Sequence, residues 1–186
     1  MLYVRHEMWR MSQITRKGKF MKQIILIVTL IFSVCAFSNE TAVAFVKQNE
    51  GFRSKVYMCT AGKPTIGYGF TEKTLIERGV ITETAADRVL RMYVASCQTV
   101  VYRNVKVKLT ENQEAVLIDF VYHFGSKAFY DSTLLKKLNA GKYDQVPHEL
   151  RRWVNQKTIV KGKVKYVPVK GLVNRANRRI ALWNKK

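Results

Sequence analysis

The sequence predicts an α+β domain, mainly helical, with a small antiparallel sheet near its N-terminal end forming one wall of a cleft. Three observations carry this. Apolar residues recur at spacings of three and four through most of 82–183, the pattern of helices that each bury one face. Helix caps sit beside those stretches, most fully in Thr110-Glu111-Asn112-Gln113, which reads as a capping box. The clearest strand-like sequence, punctuated by Gly62, Gly67 and Gly69, lies between residues 55 and 70.

Taken in order, Ala42, Phe45 and Val46 share a face, so 41–48 reads as a short helix capped by Thr41 and stopped by Gly51. Residues 55–58 and 64–70 read as two strands joined by a turn at 60–63, with Pro64 at a strand start or edge. A short helix over 71–78 stops at Gly79. Thr82 caps a longer one reaching about Tyr102, whose core face holds Ala86, Val89, Leu90, Tyr93, Val94, Cys97, Val100 and Val101. Residues 105–109 alternate but are short and lie between helices, so they read as a linker. The capping box opens a helix through Phe124, ended by Gly125. Ser132 or Asp131 caps another through Leu138. A further helix covers 146–154, with Pro147 tolerated in its first turn. Residues 158–167 alternate around Gly162 as a hairpin, and 171–183 form a terminal helix. There are no internal repeats.

Residues 1–38 are set apart as an N-terminal extension and export segment, leaving 39–186 as the folded domain. Residues 24–37 are an almost unbroken apolar run, shorter than the roughly 20 residues of a comfortable membrane span. Lys17, Lys19 and Lys22 precede it, and Ala36-Phe37-Ser38 supplies small residues in the spacing of a signal-peptidase site. The alternatives are a retained membrane anchor and, less favoured, a buried core helix. The expected location is across the inner membrane, in the periplasm or outside, with tethering before release as one variant.

The formal charge is +20. Six of the 33 basic residues and one of the 13 acidic ones fall in 1–38, which leaves 27 and 12, or +15, on the domain. Such a surface suits a polyanionic partner, with Lys157, Lys161, Lys163, Lys165, Lys170, Arg175, Arg178 and Arg179 as the densest cluster. Nucleic acid is disfavoured, because no DNA- or RNA-reading motif accompanies the charge. Cys35, Cys59 and Cys97 show no metal-site spacing, and His6, His123 and His148 are scattered, so no metal or other cofactor is implied. Export would place the thiols where they can pair, although Cys97 falls on an apolar helix face and suits core packing.

The chemistry concentrates in Glu50, Cys59 and Thr65. A glutamate ending an apolar helix, just before a glycine, is placed for burial to raise its pKa, as a glycosidase acid requires. Position alone is equally consistent with a solvated helix-end carboxylate. Cys59 and Thr65 are weak alone, but a hairpin would bring both beside the end of that helix.

The run from Glu50 to Gly69 resembles the signature of phage-type lysozymes, the endolysins of glycoside hydrolase family 24. In that family a Glu is followed nine positions on by Asp or Cys and six further on by Thr, as Glu50, Cys59 and Thr65 are here. The resemblance continues through 109–113, 132–141 and 171–175, and covers roughly 41–183. It implies a monomeric, lysozyme-like α+β fold that hydrolyses peptidoglycan glycan strands and lyses the bacterial cell. Glu50 would be the general acid, Cys59 would place or activate water, Thr65 would orient that water, and Arg175 would pair with Glu50. The family's asparagine near His123 is absent, so either His123 takes over a sugar contact or that contact is lost and His123 is a helix-end residue touching solvent. A thiol serves as a base only when its pKa is lowered, which Lys55 and Lys63 would favour. Oxidation of Cys59 would then silence the site. Two other classes remain: a non-enzymatic cationic protein binding wall or membrane through its terminal helix, and a basic nucleic-acid binder.

Overall fold

The computed structural model describes residues 39–59, 62–160 and 163–185, without the side chains of 157–160 and 163. The proposed export segment, Thr60 and Ala61 of the first turn, and Lys161 and Gly162 lie outside the described residues. Helix α1 (Glu40–Glu50) starts one residue earlier than expected, because Asn39 and not Thr41 caps it, its side chain accepting from the Ala42 N–H at 2.8 Å. Thr41 instead donates its hydroxyl to the Glu111 carboxylate at 2.6 Å. Ala42, Val43, Phe45 and Val46 bury the inner face of α1.

Strands β1 (Arg53–Met58) and β2 (Pro64–Gly67) form an antiparallel pair with Tyr57 opposite Thr65 and a register irregularity between Arg53 and Tyr57. Gly67 has φ +66°, and a β-carbon there would lie 2.6 Å from the Phe70 ring, so the tight return after β2 needs glycine. Helix α2 (Lys73–Arg78) stops at Gly79, and α3 (Glu83–Asn104) is capped by the Thr82 hydroxyl. Ala86, Leu90, Val94 and Val101 form its fully buried stripe, with Cys97 partly buried against the same core.

Helix α4 (Glu111–Phe124) is the centre of the fold. Its capping box forms as read, with Gln113 N–H donating to the Thr110 hydroxyl and the Thr110 N–H donating to the Gln113 side chain. Every residue from Ala115 to Val121 is buried, the mark of a helix covered on all sides. Helices α1, α3 and α8 pack around it. Beyond it come α5 (Ser126–Asp131), which the sequence reading lacked, α6 (Thr133–Asn139), a 3₁₀ turn at Tyr143–Gln145, and α7 (Val146–Arg151). Strands β3 (Asn155–Val160) and β4 (Lys163–Pro168) pair as the expected hairpin, Asn155 opposite Pro168. The two hairpins form two separate two-stranded sheets. Helix α8 (Lys170–Trp183) closes the chain against α4 and α7. No helix among the described residues is long and apolar enough to cross a membrane.

Candidate active site

Glu50 is the last residue of α1, and Gly51 at φ +69° turns the chain away from it. Its side chain is only 19% exposed. A β-carbon on Gly69, at φ +94°, would lie 3.2 Å from Glu50 Oε2, so the chain after β2 passes the carboxylate at a distance that suits glycine alone. On the other side Arg175 of α8 donates from Nη1 to Glu50 Oε1 at 2.5 Å.

Arg175 is itself held from beneath. Its Nε and Nη2 donate to Asp119 Oδ2 and Oδ1 at 3.2 and 2.6 Å, a bidentate fork on a wholly buried carboxylate of α4. Arg179, one turn further along α8, donates to Asp119 Oδ2 at 2.6 Å and to the Asp119 carbonyl at 3.1 Å. Asn49 adds an N–H to Asp119 Oδ1 at 3.1 Å, while its own carbonyl accepts from Arg178 at 2.6 Å. Two carboxylates and two guanidiniums thus balance in a cluster that ties α1, α4 and α8 together. A buried charge is tolerated only with such pairing. Burial pushes the Asp119 carboxyl up, but Arg179 and Arg175 outweigh it and hold it below the ordinary value. Burial brings Arg179 down to about 10, since it has one carboxylate to offset its desolvation. Arg175, which touches two carboxylates, is displaced upward despite its burial. Arg179 was expected on the cationic surface; at 1% exposure it belongs to this cluster instead.

His123 ends α4 beside the pair. Its Nδ1 lies 2.9 Å from Arg175 Nη1 and 3.8 Å from Glu50 Oε1. A guanidinium can only donate, so Nδ1 is the acceptor and the ring proton sits on Nε2. Burial pushes the Glu50 carboxyl up, yet the His123 ring, when it carries a second proton, and the Arg175 guanidinium offset this and hold it below the usual carboxylate value. The expectation that burial would raise it is corrected here. The burial is present, but a cation 125 residues away in the chain reverses its effect.

Glu50, Cys59, His123 and Arg175 line one cavity of 870 Å³. Cys59 follows β1 and is partly exposed; its N–H donates to the Lys63 carbonyl at 3.0 Å and its carbonyl accepts from Gly62 at 2.8 Å, which fixes the end of the strand. Thr65 does not line the cavity. It is 4% exposed, and its hydroxyl donates to the Lys63 carbonyl at 3.0 Å. The facing wall comes from the second hairpin and the start of α8, with Asn155, Gln156 and Leu172. Arg53, whose guanidinium lies 4.6 Å from the centre of the Tyr57 ring, and Arg178 make the lining basic. Glu50 is the one carboxylate among the described lining residues. Asp119 and Asn49 were missed by sequence reasoning; the signal available was an aspartate inside the otherwise apolar run 115–121.

The family model for phage lysozyme matches residues 47–179, a span that takes in every residue of the charged cluster. The chain belongs to the phage lysozyme family. It is 38% identical over 145 residues to an endolysin of Acyrthosiphon pisum secondary endosymbiont phage 1, covering 78% of this chain and 96% of that one. It is 32% identical over 139 residues to a SAR-endolysin of Bacteriophage PS119, covering 74% and 78%. Among solved structures, the endolysin from Escherichia coli O157:H7 phage FAHEc1 superposes with a TM-score of 0.67 at 30% identity, over 77% of this chain and 90% of that one. This phage lysozyme therefore has the expected lysozyme-like α+β fold. It is a lysozyme-type hydrolase, and peptidoglycan breakdown leading to lysis is its function.

Proposed function

We propose that this phage lysozyme cleaves the β-1,4 bond between N-acetylmuramic acid and N-acetylglucosamine, with Glu50 as general acid. The observation that carries this is the Arg175–Glu50 pair, held in a basic cavity that Cys59 also lines. Glu50 gives its proton to the leaving glycosidic oxygen. Water adds to the anomeric carbon from the opposite face, placed or activated by Cys59, and its surplus proton leaves to that side or to solvent. Thr65 does not reach the cavity, so it bears on that water only through the β1–β2 turn beside Cys59, which its hydroxyl braces at the Lys63 carbonyl. In the resting site Glu50 is held ionised. A saccharide filling the cavity strips the remaining water from the carboxyl, favouring uptake of the proton it must donate.

Arg53 and Arg178 suit the lactyl and peptide carboxylates of the wall polymer, and Asn155 and Gln156 suit its acetamido groups. His123 sits where a sugar contact was expected, but its Nδ1 is occupied by Arg175. The domain works as a monomer on an anionic wall, reached by export of the chain across the inner membrane, as the similarity to SAR-endolysins supports. A purely cationic lytic protein is less well supported, because Arg175 and Arg179 of α8 are turned into the core.

The deciding experiment is clearing of purified peptidoglycan by the full chain, Glu50→Gln and Cys59→Ser. Loss of clearing with Glu50→Gln, in protein that remains folded, is expected. Clearing at the parent's rate would reject Glu50 as the acid and return the cationic reading to the front.

A further inference from the structure

We propose that His123 is a positioning residue that keeps Arg175 assembled on Glu50 only while its imidazole is neutral, so that one proton on His123 disables the site in acid. The inference rests on the muramidase reading and goes beyond it, to what limits that activity.

The geometry leaves little freedom. Arg175 commits Nε and Nη2 to Asp119. Nη1 carries two hydrogens, and each has one acceptor: Glu50 Oε1 at 2.5 Å and His123 Nδ1 at 2.9 Å. The planar guanidinium directs one Nη1 hydrogen at each acceptor, so His123 braces the same nitrogen that holds the acid. A proton on Nδ1 would set two donors and two positive charges against each other at that same separation, with Glu50 Oε1 the acceptor both must share.

Among the described lining residues, the one carboxylate the imidazolium faces in the cavity is the acid itself. From α1 it faces Glu50, already engaged by Arg175. From α8 it faces Arg175, with Arg178 in the same lining, and Arg53 lines the cavity from β1. Cys59 lines it at the end of the same hairpin. On its own helix Asp119 lies one turn back and accepts from two arginines. The protonated ring must compete with Arg175 for Glu50 Oε1, 3.8 Å away, or swing out. In the first case Glu50 sits between two cations and cannot hold the proton it must donate. In the second the acid loses the support that aims it. The change involves one proton, taken by Nδ1 from cavity water and returned on neutralisation; no other bond is altered. An asparagine at this place would accept from Arg175 without titrating.

The test pairs a rate profile with a direct reading of the ring. Wall clearing is measured from about pH 4 to 9, spanning the range in which imidazoles change charge, for the full chain, His123→Asn and His123→Gln. Nitrogen-detected NMR follows the His123 ring over the same range. The parent rate should fall about tenfold per pH unit below a midpoint that coincides with His123 protonation. That limb should be lost or displaced to lower pH in a folded non-titrating variant. Neutral His123 should show an unprotonated Nδ1. Parent and variant profiles of the same shape would overturn the proposal, as would a proton on Nδ1 in the neutral ring. If no protein clears walls at any pH, the muramidase reading is what fails, and the NMR result alone then decides whether His123 accepts from Arg175.

Discussion

Asp119 grips Arg175 by two of its nitrogens while standing wholly out of solvent. The acid in the cavity is thus aimed by a residue that never reaches the cavity. Asp119→Asn should cost about 3–5 kcal/mol, because it leaves two buried guanidiniums sharing one remaining carboxylate. Its folded carboxyl lies below the ordinary value, so its contribution is full above about pH 4 and is lost as the pH falls toward that lowered value. Urea unfolding across pH checks both points: the parent should weaken in acid, and the variant should weaken less steeply.

Glu50→Gln should lower the rate of glycan cleavage by about 10²–10⁴-fold, the range a positioned general acid supplies. The amide carbonyl can still accept from Arg175, so the fold should survive. Release of reducing ends from purified wall, beside a thermal melt, separates lost chemistry from lost structure.

Cys59→Ser should reduce the rate, whereas Cys59→Asp, which restores the carboxylate of the family pattern, should keep measurable activity. Iodoacetamide should inactivate the parent and spare the Asp variant. Cys97 should react slowly in both, since burial pushes its thiol up to about 11. Mass mapping of the alkylated site checks the assignment. A disulfide at Cys59 should silence the enzyme until it is reduced.

Thr65→Val removes a hydroxyl that donates to the Lys63 carbonyl. Loss of that bond should destabilise the domain by about 0.5–1.5 kcal/mol. Specific activity of the folded fraction should change little, because Thr65 does not reach the cavity. An unchanged specific activity would reduce its role to holding the hairpin.

Much of the scaffold was legible because its signals are local. Thr82, Gly125 and the Thr110–Gln113 box act within four residues, and each ends or starts a helix where it was read. Of the residues singled out from the sequence, Glu50, Cys59, His123 and Arg175 meet in one cavity, whereas Thr65 does not line it. Asp119 was not legible, because apolar periodicity treats a lone charge in a core stripe as an exception; its partners are 56 and 60 residues distant. Arg179 was assigned to solvent on its charge alone. The direction of the Glu50 shift failed differently: the resemblance implied the Arg175 pairing, but desolvation was weighed from neighbours in sequence without setting that charge against it. Helix α5 begins at Ser126 with no side-chain cap, so nothing local announced it.

Glu50 closes the first helix of the domain, and the guanidinium that holds it arrives 125 residues later. A nascent chain therefore carries Glu50, Cys59 and Thr65 through almost all of translation without a finished site. A fragment cut in the second hairpin would be in the same position. On the proposed role of Glu50, a copy that stops before Arg175 lacks the cation that aims the acid and should leave the wall intact.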